Sequence, residues 1–543
     1  MFENNVKLLE TIIEDNKNTE YGKKYNFSDI KTLEDYKNNV PLTKYDDYDL
    51  YIKRMFNGEK NILTAYPIVT YLRTTGSVTS IQKNIPFSMK AWENFGIKPF
   101  KPLILRNKII GIQNNKCCIL HIGNYHIDVN KEPPKQIILS EICYYLAYKN
   151  DLEDFGRIYG GSDLMYDIDT FDFLYEKIWI SILMDDIEVI ESIYIFSILQ
   201  FFLEFEKSYK DIISDIRKKK INSKKKLSEK AKKYLLELPI SEERLQYVEA
   251  ECQKGFDGIA IRLWKNIKFV SGIRSKAFIY ENKALDKYIR NIPKGSFIYA
   301  LSESIIGFPT EINNYNFSLT PNLSFYEFIP YNEENNNESD SEKTLFINEV
   351  EKGKCYELVI TTLSGFYRYK TEDILKIIEN NEKELLIEYC FRKNLLIDLK
   401  CEKTTIVHVE KVMKKIDEII PNIIGFLIGG TIYNDNANYV LILCLDNKNL
   451  NISIDELEKK LDYFLGEVNF VYKAFRKSNL IGPSKIIIKN KEEFNKIQKD
   501  INKKKSHNKQ KFIISGEALA DLLEKERNII IKKKKFLFSL YQN

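Results

Sequence analysis

The sequence predicts a two-domain α/β protein, and three observations carry that expectation. The chain has 543 residues, more than one hydrophobic core ordinarily serves, so two or more domains are expected. Short runs of β-formers such as YPIVTYL at 66–72 and CCILHIG at 117–123 are interleaved with helical patterns, as in mixed helix-and-sheet cores. Beyond the stretch EYCFRKNLLIDLK the pattern simplifies to helix, strand, strand, helix, strand and a helical tail, which reads as a compact α+β domain. The expected division is 1–394 and 395–543.

Taken in order, residues 5–60 read as helices joined by loops, and the start MFENNVKLLETIIEDNK is an amphipathic helix with early acids rather than a targeting leader. After the strand at 66–72 comes TTGSVTSIQK, hydroxyl-rich and carrying one glycine and one lysine. Two helical patterns dominate 167–216, a lysine-rich loop follows, and a further helix is expected near 227–253. The run IWISILMDDIEVIESIYIFSILQFFLEF at 178–205 is interrupted by Asp185, Asp186, Glu188 and Glu191. It therefore reads as buried helix, not membrane span. NIKFVSG, SFIYALSE and LSFYEFIP are expected strands, separated from the next by the polar surface insert YNEENNNESDSEK at 331–343. CYELVITTLSGFYRYKTED reads as a strand, a tight turn at Ser364–Gly365 and a second strand ending in acids. The last domain is expected to hold helix 406–419, strands 423–433 and 438–445, helix 453–466 and strand 484–488.

Composition narrows the function. Lys+Arg 82 against Asp+Glu 77 leaves a net charge of only +5, too balanced for a protein whose affinity rests on neutralising nucleic-acid phosphates. The lysine runs at 217–226 and 532–535 read as solvated helix ends and loops. Apart from the Cys117–Cys118 neighbours the eight cysteines are scattered, and none lies in a Cys-x-x-Cys spacing. Free, mostly buried thiols and a reducing, cytoplasmic setting are expected, with no membrane and no nucleic-acid partner.

Three separated segments make a nucleotide-binding set. The loop TTGSVTSIQK offers hydroxyls, backbone amides and Lys83 for phosphates. YALSE at 299–303 places Ser302 and Glu303 beyond a strand, where a carboxylate can take Mg²⁺. YRYKTED at 367–373 places Asp373 beyond another, where a carboxylate can accept both ribose hydroxyls. None of His121, His126, His408 and His507 sits in a catalytic motif, and His121 reads as a packed strand residue.

The order and wording of these segments resemble the acyl acid amido synthetases, the auxin-responsive promoter protein family of the adenylate-forming superfamily. The likeness runs nearly end to end, through TEYGKKYNF, VPLTKYDDYDLYIKRMFNGEKNIL, GSVTSIQKNIP, YALSE, TPNLSFYEFIP, CYELVITTLSGFYRYKTEDIL, FRKNLLIDLKCEKTT and SNLIGPSKIII. It implies a large N-terminal adenylate-forming domain and a smaller mobile C-terminal one. It further implies ATP and Mg²⁺ as cofactors, with the phosphate loop at Thr74, Thr75, Gly76, Ser77 and Lys83. Tyr299, Ser302 and Glu303 correspond to the family's tyrosine-to-glutamate segment, with the glutamate near Mg²⁺, and Asp373 to its ribose aspartate. Arg392 falls at the hinge and Lys403 at the lysine presented to the nucleotide phosphate; Lys511 is assigned to a further C-terminal lysine on the poorer match SHNKQKFII.

The implied reaction adenylates a small carboxylic acid and passes the acyl group to an amine, usually that of an amino acid, in a monomeric enzyme. An acyl-CoA-type ligase and a degenerate, non-catalytic nucleotide-binding member stand as alternatives. Two departures motivate the latter: Ser80 stands where the family's loop has a second glycine, and Glu372 where it has Gly before the ribose aspartate. The stretch 88–165 is expected to contribute Tyr, Phe and Ile side chains to an acyl pocket. The base that takes the amine's proton is not identifiable.

Overall fold

The computed structural model describes residues 1–73, 83–97, 111, 117–123, 135–137, 142, 157–165, 167, 169–273, 279–296, 298–311, 316–331, 343–393, 396–397, 399, 402, 404–433, 436–446, 450–502, 513–514, 519 and 522–523. These described residues fall into two compact units, the first made of those within 1–73, 83–273 and 281–390, the second of 279–280 and everything from Phe391 onwards.

The first unit opens with helices Phe2–Asn16, Glu20–Lys24, Leu33–Asn39 and Asp49–Phe56. Two of them start at threonine caps. Thr19 accepts from the Gly22 N–H, and Thr32 forms a reciprocal capping box with Asp35, which supplies partners to helix-end N–H groups that lack them. The strands are β1 (Ile68–Arg73), β2 (Asn84–Ser88), β3 (Cys118–His121), β4 (Gln136–Ile137), β5 (Arg157–Ile158), β6 (Val189–Tyr194), β7 (Phe269–Ile273), β8 (Lys294–Gly295), β9 (Tyr299–Ala300), β10 (Ile305–Pro309), β11 (Asn316–Leu319), β12 (Ser324–Tyr331), β13 (Cys355–Thr362), β14 (Tyr369–Asn380) and β15 (Leu385–Arg392).

They make three sheets, ordered β2-β1-β4, β5-β3-β6-β7-β8 and β12-β13-β14-β15-β11-β10-β9. In the five-stranded sheet every pairing is parallel, and successive residues of β6, Val189 to Ser192, are all buried, as in sheets covered on both faces. The seven-stranded sheet is antiparallel along β12-β13-β14 and β15-β11-β10-β9.

The apolar run at 178–205 is not helix throughout. Helix Phe173–Leu183 ends before the acids, β6 takes Val189–Tyr194, and a helix resumes over Ile195–Arg217. The β-branched Val189, Ile190 and Ile193 suit a pleated strand, and the polar DD pair breaks the helical period. No helix among the described residues is long and apolar enough to cross a membrane. The helix expected near 227–253 is two, Glu229–Glu237 and Glu242–Gln253, with Pro239 between them restricting the residue before it.

The second unit has strands β16 (Leu396–Ile397), β17 (Thr404–Thr405), β18 (Ile423–Tyr433), β19 (Asn436–Leu445), β20 (Lys485–Lys489) and β21 (Ile513–Ile514), with helices Ile406–Ile419, Ile454–Val468, Phe470–Lys477 and Lys491–Asn502. Its sheet runs β20-β19-β18-β21. Expected strands and helices fall in place here, and Phe470–Lys477 is an addition. Inside it Glu402, 2% exposed, accepts from the Tyr439 hydroxyl at 2.7 Å and from the Leu399 N–H at 2.9 Å. The cysteines Cys117, Cys118, Cys252, Cys355, Cys390 and Cys444 are free thiols. His408 caps its own helix with Thr405, and His121 lies buried in β3 against Glu191 of β6 at 3.2 Å; both fill structural places.

Candidate functional site

The turn at Ser364–Gly365 sets the site's frame. Gly365 has φ +101, and a Cβ there would lie 2.7 Å from the Cβ of Leu63, so only glycine lets this chain reverse against its neighbour. The ladder between β13 and β14 then slips: Val359 pairs with Lys370 but Glu357 pairs with Ile374. Thr371, Glu372 and Asp373 therefore oppose the single residue Leu358, a bulge in the ladder. Sequence reading ended this strand at the acids. The structure carries it on to Asn380, because Ile374, Leu375 and Ile377 resume the apolar pattern and are fully buried.

Within the bulge Glu372 has φ +67. That is the left-handed region, costly for a residue with a Cβ, at the position where a glycine is expected from the family wording. Thr371 donates its hydroxyl to the Leu358 carbonyl at 2.8 Å and accepts the Asp373 N–H at 3.2 Å, which pins the residue after the kink. Asp373 is 3% exposed, and the Tyr299 hydroxyl donates to its Oδ2 at 2.6 Å. Tyr299, on β9, is flanked by the rings of Phe317 and Tyr389 at 5.7 and 5.5 Å.

Glu303 sits in the turn between β9 and β10, closed by the Leu301 N–H donating to the Ser304 carbonyl at 2.8 Å. The hydroxyl of Tyr369 on β14 donates to its Oε1 at 2.9 Å. Ser302, Glu303 and Ser304 line a small cavity with Thr362, Ser364, Phe87 and others. Lys83 stands at the base of β2 with Nζ 4.8 Å from the Tyr45 ring, a cation–π distance. The Tyr45 hydroxyl donates to the Asn84 carbonyl and accepts its N–H. Burial pushes Tyr45 above the usual phenol range, opposed by the Asn84 contact and assisted by Asp49 and Glu303.

The structure thus brings Tyr299, Ser302, Glu303 and Asp373 together in the first unit, with Lys83 at the end of the hydroxyl loop. Arg73 and Asn84 pair across the antiparallel strands β1 and β2, and residues 74–82 between them lie outside the described residues. Thr74, Thr75, Gly76, Ser77, Ser80, Lys403 and Lys511 lie outside the described residues, as does most of 88–165. Arg392 is half-buried at the end of β15. Sequence reasoning missed Tyr369 and Tyr45, whose partners lie far off in the chain.

Arg368, inside the same motif, belongs to the frame instead. It also has a positive φ, +45. Its Nε donates to both oxygens of Glu327 at 3.2 and 3.1 Å, Nη1 to the carbonyls of Lys37 and Val40, and Nη2 to Glu327 Oε1 and Thr344 Oγ1. Both charged side chains are buried. A guanidinium so fully matched holds a strained backbone that would otherwise relax.

Among the described residues no three or more His, Cys, Asp and Glu side chains gather as a metal cage. Magnesium is commonly held by one or two carboxylates together with substrate phosphates. A half-buried Glu303 among serine hydroxyls fits that habit.

Comparison with known proteins gives three successive family matches: the GH3 family N-terminal domain over residues 3–294, its central domain over 317–392 and its C-terminal domain over 407–515. The chain is similar to the indole-3-acetic acid-amido synthetase GH3.4 of Arabidopsis thaliana, 25% identical over 88% of this chain and 83% of that one. It is also similar to the jasmonoyl-L-amino acid synthetase JAR4 of Nicotiana attenuata, 24% identical over 90% and 86%. In structure it resembles the AtGH3.15 acyl acid amido synthetase in complex with 2,4-DB, with a TM-score of 0.81 at 19% identity, covering 95% of this chain and 92% of that one. It resembles 2-hydroxyisobutyryl-CoA ligase in the postadenylation state less closely, with a TM-score of 0.53 at 9% identity over 96% and 91%.

Proposed function

The chain belongs to the GH3 family, and from that premise we propose that it is an ATP-dependent acyl acid amido synthetase. It adenylates a small carboxylic acid and transfers the acyl group to an amine, that of an amino acid. The observation that carries this reading is the pairing of two carboxylates, Asp373 and Glu303, each anchored by a tyrosine hydroxyl at 2.6 and 2.9 Å.

In the first step a carboxylate oxygen bonds to the α-phosphorus of ATP and the bond to pyrophosphate breaks. The approaching groups are both anionic, so charge is the main obstacle. Asp373 accepts the ribose hydroxyls and fixes the nucleotide. The amides and hydroxyls of Thr74, Thr75, Gly76 and Ser77 and the ammonium of Lys83 offset phosphate charge as it redistributes. Glu303 would hold Mg²⁺, which supplies further neutralisation of the phosphate oxygens. Ser302 and Tyr299 complete the pocket beside these carboxylates.

In the second step a neutral amine attacks the acyl carbon, AMP leaves with the bonding electrons, and the amine's proton passes to a base or water. The reading puts the domain division at 394, with Arg392 at the hinge, Lys403 as a lysine for the nucleotide phosphate and Lys511 as a further nucleotide-binding lysine. It describes a cytoplasmic monomer that does not bind nucleic acid.

The deciding experiment is acid-dependent ATP–pyrophosphate exchange over aryl, indolic and aliphatic acids. Product masses with amino acids and with CoA as acceptors follow. Exchange with an amide product is expected. A thioester product would move the chain to CoA-ligase chemistry, and nucleotide binding without exchange under any acid would make it a non-catalytic binder.

A further inference from the structure

Tyr369 lies between two segments that the reaction needs. Its backbone is part of a fixed ladder, paired with Ile360 of β13 and bridged to Thr43, whose N–H and carbonyl engage the Arg368 carbonyl at 3.0 Å and the Lys370 N–H at 2.9 Å. Its ring is 3% exposed, packed 4.8 Å from Phe366 and 6.4 Å from Tyr48. Glu303, by contrast, sits in a turn. The hydrogen bond of 2.9 Å therefore joins a donor held in the ladder to an acceptor in a turn, and the donor restrains where the carboxylate points.

A second bond runs the other way. Tyr299 stands four residues before Glu303, and Asp373 four after Tyr369, and the Tyr299 hydroxyl donates to Asp373. The β9 segment and β14 so exchange tyrosine-to-carboxylate bonds, and the ribose end and the phosphate end of the site are tied together. A hydrogen bond on Oε1 fixes the carboxylate plane and leaves Oε2 for another ligand. Partners of this kind, which orient a metal-binding carboxylate, typically matter 10- to 100-fold to metal affinity or activity.

We propose that Tyr369 is a positioning residue that aims Glu303 at the magnesium–phosphate complex of bound ATP. The inference rests on the adenylation reading given above. Tyr369→Phe removes one hydroxyl and keeps the packed ring.

The test measures binding of a non-hydrolysable ATP analogue by calorimetry, with and without Mg²⁺, in the parent, Tyr369→Phe, Glu303→Gln and the double variant. Thermal unfolding is recorded for each. The parent is expected to bind more tightly with Mg²⁺, and Tyr369→Phe to lose roughly ten-fold or more of that increment while its Mg²⁺-free affinity stays at the parental value. In the Glu303→Gln background the tyrosine change is expected to add nothing, since both act through one carboxylate. An unchanged Mg²⁺ increment in Tyr369→Phe overturns the positioning role and leaves the adenylation reading intact. Equal losses with and without Mg²⁺, or full additivity in the double variant, reassign the tyrosine to packing. A parent whose nucleotide affinity ignores Mg²⁺ overturns the metal role of Glu303, and this inference with it.

Discussion

Replacing Glu372 by glycine separates two effects that the bulge combines. At φ +67 a side chain costs about 1–2 kcal/mol in left-handed backbone. Glycine recovers that but loses roughly 0.5–1 kcal/mol more conformational freedom on folding, so Glu372→Gly is expected to stabilise by up to about 1.5 kcal/mol. Glu372→Ala removes the same charge and keeps the strain. Alanine should fall about 1 kcal/mol below glycine, read as the difference in urea midpoint of the first unfolding transition at equal slope. ATP affinity should move in parallel in both variants. Losing a carboxylate beside Asp373 relieves repulsion of the triphosphate by about 1 kcal/mol or less, given water-like screening at contact distances and salt, which is up to roughly five-fold tighter binding by calorimetry. Equal stability of the two variants would refute the strain argument. Weaker ATP binding in both would mean that Glu372 helps to hold the nucleotide.

Other expectations follow from the same frame. Asp373→Ala should weaken binding of the ATP analogue by about 1.5–3 kcal/mol, and unchanged calorimetric affinity in a folded variant would remove it from the site. Arg368→Met should cost about 3–5 kcal/mol of unfolding free energy, because Glu327 is left buried and unpaired; a much smaller loss in chemical denaturation would argue that water reaches the pair. Gly365→Ala should destabilise by about 2–4 kcal/mol through left-handed strain and the 2.7 Å approach to Leu63, again read from denaturation. Thr75→Val and Ser77→Ala should each slow acid-dependent pyrophosphate release by roughly ten- to a thousandfold, whereas Ser80→Gly should preserve or raise it; parental rates in both hydroxyl deletions would return the loop to an ordinary turn.

The sequence carried the fold where one periodicity prevailed and misled where two overlapped. Helix Ile406–Ile419 and strands β18 and β19 stand out because each apolar pattern has one period and polar residues at its ends. At 178–205 isoleucine and phenylalanine suit both a buried helix and a buried strand, and only the acids at 185–191 mark the change, which sequence reading took as an interruption within buried helix. The acids of YRYKTED were read as a strand end for a comparable reason. A bulge inserts residues without ending the strand, and composition alone cannot distinguish it from termination.

The site was legible in a different sense. Its carboxylates were found from motif wording, but the residues that orient them were not, because a hydrogen bond between Tyr369 and Glu303 spans sixty-six positions of sequence and leaves no local pattern. Arg368 makes the contrast sharper. It occupies the same motif as Asp373 and carries the charge a phosphate would attract, yet all its donors go to Glu327, Thr344 and two carbonyls. Motif membership therefore divides into two kinds of work. Residues such as Arg368 and Gly365 force the chain through conformations it would otherwise avoid, and Asp373 and Glu303 use the geometry that results. Glu372 lies at the boundary, since its backbone belongs to the first kind and its charge acts on the second. Strain and charge at that one position are separable by experiment only because glycine and alanine remove the same carboxylate and differ in backbone freedom.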